Sequence, residues 1–198
     1  MNAIVISGGP GSGKTTLLNA LKNRGFNGSD EVSRQLIQEQ VILETENLPW
    51  KNLSSFAELA LERMIDQYKK SLSVKGFTFF DRAIPDIVAY LKVGKLEVKS
   101  QYHNAIKSYP YHPNIFIAPP WEAIYVNDDE RWQTFEEATE IYQMLAETYQ
   151  SAGYTIIELP FSSVENRVDF ILGALAQDKY LQTPSQNYSN KSKTRRKS

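Results

Sequence analysis

The sequence contains no cysteine, so it can hold no disulfide and offers no thiol for catalysis or redox chemistry. Its two histidines, His103 and His112, are too few to build a zinc site alone. No stretch approaches the roughly 18 consecutive apolar residues that a membrane-spanning helix requires, so none is expected. The chain enters an apolar segment at residue 3, which leaves no room for a signal peptide ahead of it. These absences point to the cytoplasm and to a protein that works without a membrane. Internal repeats and the guanine-reading N-K-x-D pattern are also missing.

Net charge is small, −1, but unevenly spread. Lys191, Lys193, Arg195, Arg196 and Lys197 put +5 on residues 184–198, which carry no acid, and leave −6 for residues 1–183. The end of the chain is otherwise rich in Ser, Asn, Gln and Thr and poor in the apolar residues that offset ordering entropy. Residues 182–198 therefore read as a disordered basic tail behind a folded unit over residues 1–181. Such a tail either solubilises or touches an acidic partner weakly. The acidic body argues against extended contact with a nucleic-acid backbone.

Glycine is also sparse, ten in 198 residues, yet four of the ten fall between residues 8 and 13. Residues 8–15 read Gly8-Gly9-Pro10-Gly11-Ser12-Gly13-Lys14-Thr15 and fit G-x-x-x-x-G-K-[ST] without a mismatch. The apolar run Ala3-Ile4-Val5-Ile6 precedes this segment, and an amphipathic run with Leu17, Leu18 and Leu21 follows it. Strand, glycine-rich turn and helix are the context a phosphate-binding loop requires. Backbone N–H groups from Gly11 to Thr15 would face a phosphate, with the helix N-terminus adding positive potential. Gly8 to Thr16 are the candidate nucleotide-binding residues. Lys14 would reach the β- and γ-phosphates, and the Thr15 hydroxyl would ligate Mg²⁺.

Further strands are expected at 26–30, 77–81, 114–118 and 154–159, the first of these placed by position rather than pattern. Helical spacing of apolar residues predicts helices over 14–24, 31–43, 54–73, 135–152 and 163–176. Segments 44–53, 92–113 and 119–134 read as irregular. Alternation of strand and helix predicts an α/β fold, a parallel sheet covered on both faces.

The apolar strand ending in Asp81 suits a Walker-B carboxylate, a second Mg²⁺ ligand, and its alternative is a plain turn cap. Glu31 lies after the weak second strand, with Arg34 one turn on. It would accept a proton from an attacking hydroxyl, or else cap the next helix. Arg34 would hold an anionic substrate or the transferring phosphate, Arg82 would turn toward the acceptor, and Asp86 would meet that acceptor, pin Arg82 at i,i+4 spacing, or form a solvated pair. Arg131 would spread transition-state charge. Arg167, following the segment Pro160-Phe161-Ser162-Ser163 where an adenine would rest, would stack on the base or pair locally. Trp50, Phe56, Tyr90, Tyr102 and Tyr109 would line an acceptor pocket or fill the core.

These residues together resemble a family: the small P-loop ATPases related to the kinase domain of bifunctional nicotinamide riboside kinases. The likeness spans about residues 3–176 and rests on GGPGSGKTT, Glu31-Val32-Ser33-Arg34, Phe80-Asp81-Arg82-x-x-x-Asp86-x-x-x-Tyr90, Asp129-Glu130-Arg131 and the ending from Gly153-Tyr154 to Pro160 with Val164-Glu165-x-Arg167. The resemblance implies a three-layer P-loop NTPase whose five strands run 2-3-1-4-5. It implies ATP and Mg²⁺ in the loop and Asp81-Arg82 at an acceptor site. Three functions remain open: a small-molecule kinase, a slow regulatory ATPase with a protein partner, and a module that binds nucleic acid through its tail. Arg131 is the one basic residue between 119 and 152, a thin lid that favours the regulatory reading. A large ring-forming AAA motor is not expected, because Arg82 and not Glu follows Asp81. The sequence fixes neither the acceptor nor the oligomeric state.

Overall fold

A computed structural model describes residues 2–124 and 134–177. Five parallel strands, β1 (Ala3–Gly8), β2 (Asn27–Ser29), β3 (Thr78–Asp81), β4 (Asn114–Ala118) and β5 (Thr155–Glu158), form one sheet in the order β2-β3-β1-β4-β5. This is the α/β topology that the resemblance implies. The register pairs Ile6 of β1 with Asp81 of β3 on one side and with Phe116 of β4 on the other. The central strand thus delivers its carboxyl end, and the turn after it, beside the ends of both neighbours.

Pleating divides the core. Ile4 and Ile6 face one side with Phe79, Phe116 and Ala118, where α1 (Lys14–Asn23) and α7 (Val164–Ala176) cover them through Leu17, Leu18, Leu21, Val168 and Ile171. Ala3 and Val5 face the other side with Phe80, Ile115 and Ile117. That layer is built from α2 (Val32–Ile42), α3 (Leu53–Ser71), α4 (Ile84–Val93), α5 (Ser100–Ser108) and α6 (Phe135–Ser151). A single turn of 3-10 helix, Glu122–Ile124, follows β4.

Two helices depart from the sequence expectation. The pattern gives no helix over 84–93, and it treats 92–113 as irregular. Ile84-Pro85-Asp86-Ile87-Val88-Ala89-Tyr90-Leu91 is apolar but for Asp86, a short run that reads as readily as a buried strand, and as a helix it is buried over most of its surface. Pro85 in its first turn needs no hydrogen-bond donor there, so it starts the helix rather than breaking it. The α5 helix covers 100–108 with only Tyr102 and Ala105 buried, too thin a stripe to read. Strand β2 is indeed short, three half-buried residues. Among the described residues no helix is long and apolar enough to cross a membrane.

Candidate functional site

The turn between β1 and α1 is shaped by its glycines. Gly13 caps α1 in the left-handed region, at φ 81°, and contributes no side chain, so the first N–H groups of the helix stay open to a ligand. A Cβ on Gly9 would come within 2.8 Å of the Ala138 carbonyl oxygen. The loop therefore rests directly on the backbone of α6. Within it Ser12 donates to the Gly9 carbonyl at 2.8 Å. The Lys14 ammonium, buried, donates to the same carbonyl at 2.7 Å and to Ser12 Oγ at 3.2 Å. Burial, aided by the nearby Arg82 guanidinium and opposed by Asp81 and Glu31, lowers the Lys14 amine to about 8.

Thr15 donates to Asp81 Oδ2 at 3.0 Å, which joins the loop to the end of β3. The other carboxylate oxygen, Asp81 Oδ1, is buried without a hydrogen-bond partner. Burial, reinforced by the Glu31 charge and only partly offset by Lys14, raises the Asp81 carboxyl above its usual range. An orphaned carboxylate oxygen beside a threonine hydroxyl is a hard-oxygen donor pair that fits Mg²⁺. Among the described residues no three His, Cys, Asp or Glu side chains gather to hold a metal alone. That suits an ion whose other ligands come from phosphate and water.

Glu31 is the residue before α2, but its carboxylate caps nothing. It accepts from Arg82 Nε at 2.8 Å and lies 3.8 Å from Arg34 Nε. Burial disfavours its charged form, yet Arg82 and Lys14 outweigh that and hold the carboxyl below its usual range. Arg82 occupies the left-handed region at φ 73°, a costly conformation for a residue with a Cβ. From there its guanidinium reaches back over the sheet end. Nη1 donates to the Gly8 carbonyl at 3.2 Å, and the group sits over the Tyr90 ring at 5.3 Å.

Asp86 is buried, not part of a solvated pair. It accepts from Ser7 Oγ at 2.7 Å, from Tyr149 Oη at 2.5 Å and from the Ala83 N–H at 2.9 Å, and it lies 3.6 Å from Arg82 Nη1. Four elements meet at this one carboxylate: β1, the turn after β3, the first turn of α4, and α6. Neither Ser7 nor Tyr149 is marked out by the sequence, because a serine in a strand and a tyrosine in an apolar helix stripe carry no pattern.

Arg167, on α7, is 2% exposed. Its Nη1 donates to the Ser12 carbonyl at 3.1 Å, its guanidinium lies 5.7 Å from the Trp121 ring centroid, and Nε and Nη2 have no partner. Trp121 packs edge-on against Phe161 at 5.5 Å. Of the proposed residues Asp129, Glu130 and Arg131 lie outside the described residues, as do 182–198.

A cleft of about 870 Å³ opens from the loop, past Glu31, Arg34, Arg82 and Asp86, to walls that include Trp50, Leu53, Phe56, Met64 and Tyr90. Tyr102 and Tyr109, also considered for this pocket, pack elsewhere. Tyr102 is in the core, and Tyr109 meets Tyr68 edge-on. So one end of the cleft is the glycine-rich loop with the Lys14 ammonium, and the other is apolar and aromatic and large enough for a small molecule.

A family profile described as an AAA domain matches residues 3–167. No curated protein sequence matches the chain. Among solved structures, deoxyadenosine kinase from M. mycoides with products bound shares the fold at a TM-score of 0.63 and 14% identity, covering 88% of this chain and 98% of that one. Thymidylate kinase from Ehrlichia chaffeensis does so at 0.56 and 19% identity, covering 88% of this chain and 100% of that one. The NadR protein in complex with NR does so at 0.68 and 15% identity, over 88% of this chain and 50% of that chain.

Proposed function

The chain belongs to the AAA domain family, and on that premise we propose that it is a Mg·ATP-dependent kinase that phosphorylates a small, nucleoside-like acceptor. One observation carries this reading: the cleft continues from the phosphate loop into an apolar chamber instead of ending at the loop. A plain ATPase has no use for such a chamber. ATP is favoured over GTP because no guanine-reading pattern is present. Mg²⁺, held by Thr15 and Asp81 together with phosphate oxygens, would supply charge neutralisation at the phosphates.

The chain's own residues divide the remaining work. The N–H groups from Gly11 to Thr16 and the Lys14 ammonium hold the phosphates. Arg167 pairs locally instead of stacking on a base: it steadies the loop through the Ser12 carbonyl and lies against Trp121. Glu31, ionised and tied to Arg82, takes the proton of the acceptor hydroxyl as its oxygen bonds to the γ-phosphorus and the bond to the β–γ bridging oxygen breaks. Arg82 and Arg34 place the acceptor, with Arg82 held in turn by Asp86. Arg131 would add charge stabilisation over the transferred group.

The test is ADP release by the full chain, alone and with nucleosides, nucleotides and vitamins offered as acceptors. At least one acceptor is expected to raise release well above the water background. The Glu31→Gln variant is expected to bind ATP normally while transfer falls about 10²- to 10⁴-fold. If no acceptor stimulates release, the slow regulatory ATPase is the better reading. Equal loss of binding and transfer in Glu31→Gln would make Glu31 a structural residue.

A further inference from the structure

A second hollow lies apart from the cleft, and the proposed reaction makes no use of it. It is an open groove of about 620 Å³ between α6 and α7, at the carboxyl end of β5. Phe135 and Tyr142 of α6, Phe170 of α7, and Pro119, Pro160 and Phe161 after the strand ends line it. Phe161 is 60% exposed and Phe170 39%, so large apolar side chains meet solvent here instead of core. Grouped apolar surface of this kind marks a contact. Among the described residues Glu158 is the one charged member of the lining, and its carboxylate accepts from Tyr142 Oη.

Helix α7 leads from this groove to the end of the described chain. Asn166, Phe170, Gly173 and its C-cap Gln177 recur at helical spacing and share one face. Gly173 is the odd member. A glycine inside a helix is less stable than alanine, yet a Cβ at Gly173 would meet nothing within 4 Å. Neither packing among the described residues nor a left-handed φ requires it. Its bare backbone opens a lane about 10 Å long from Gln177 to Phe170. The chain continues past Gln177 for 21 residues. About three extended residues span such a lane. Tyr180, Leu181 and Pro184, the first apolar residues after Gln177, are therefore within reach of the groove.

Charge decides between occupants. A second copy of the same face would bring one Glu158 toward another, and residues 1–183 carry −6 in all. Residues 184–198 carry +5 and no acid. Opposite charge favours the chain's own end over a second body.

We propose that the segment from Tyr180 to Pro184 of the same chain lies over Gly173 and fills the groove between α6 and α7, and that the basic residues after it are held by the acidic body. The inference stands apart from the kinase reading, because no residue lining the groove also lines the cleft.

The test is hydrogen exchange of the full chain, read by mass spectrometry beside a free peptide of residues 178–198. The amides of Tyr180 to Thr183 are expected to exchange at least about tenfold more slowly in the protein than in the peptide. Gly173→Leu, which blocks the lane, and Phe170→Ser, which removes its apolar end, are each expected to return those amides to the peptide rate. Leucine is a better helix former than glycine, so lost protection in Gly173→Leu cannot come from a weakened α7. Exchange at the peptide rate in the parent protein would overturn the proposal. Protection that survives both substitutions would place the segment elsewhere and overturn it too. Protection that falls on dilution would give the groove to the end of a second copy, against docking within one chain.

Discussion

The ammonium of Lys14 is lodged against the Gly9 carbonyl, and burial together with Arg82 brings its amine down to about 8. A lysine whose folded value lies below its unfolded 10.5 binds fewer protons in the folded state between those two values. The ligand-free protein therefore gains stability from this group as pH rises from about 8 toward 10.5. Phosphate has the opposite preference, because it favours the charged ammonium. Just above pH 8, nucleotide binding should thus take up protons. Calorimetry of ATP binding in two buffers of different ionisation enthalpy should register that uptake, and Lys14→Ala should abolish it. Binding that is proton-neutral at that pH would mean the lysine is already charged in the free protein. The residues with a chemical signature of their own, Lys14, Thr15 and Asp81, were legible from the sequence because glycine spacing and strand endings mark them. The partners of Glu31 were not. The carboxylate seeks Arg82, which is 51 positions away in the chain, and no local pattern reports that.

At the scale of elements, the Asp86 carboxylate is the joint. Tyr149 of α6 and Ser7 of β1 both end on it, and its Oδ2 also caps α4 through the Ala83 N–H. Burial, then the adjacent Asp86 charge, raises the Tyr149 phenol well above its usual value, so it stays a donor throughout the working pH range. Tyr149→Phe removes one donor from a buried carboxylate and should cost about 1–3 kcal/mol in urea unfolding. The same change leaves Asp86 free to draw Arg82 closer and away from Glu31. The acceptor KM should therefore move more than the ATP KM. Equal changes in both would confine Tyr149 to a packing role. Helix α4 shows why such a joint escapes a sequence reading: its apolar residues surround it, so periodicity is silent, and the strand-like run hides a buried helix. Strands β1, β3 and β4, which alternate or run apolar between glycine or proline stops, were legible for the opposite reason. The sheet order itself followed from the family likeness and not from periodicity.

For the whole molecule, two core layers on opposite faces of the sheet hold the cradle, and nothing in either layer needs the nucleotide in order to form. Binding should therefore add to stability by mass action, about 2.7 kcal/mol at a ligand concentration 100 times the dissociation constant. For a chain of this size that is a rise in Tm of roughly 5–10 °C. Thermal scans with Mg·ATP should show the rise in the parent protein and lose it in Lys14→Ala. A shift that persists in Lys14→Ala would place the nucleotide elsewhere.

The bond from Arg82 Nη1 to the Gly8 carbonyl joins a side chain of the acceptor end to the backbone that begins the phosphate loop. The two halves of the cleft are therefore in direct hydrogen-bond contact. Whatever orders the loop also orders the guanidinium, and whatever anchors the guanidinium stiffens the loop. By linkage, each ligand then changes the other's affinity by the same factor. On the kinase reading, donor and acceptor affinities measured one at a time should not multiply to give the affinity of the ternary complex, because the second ligand meets a site already partly set by the first.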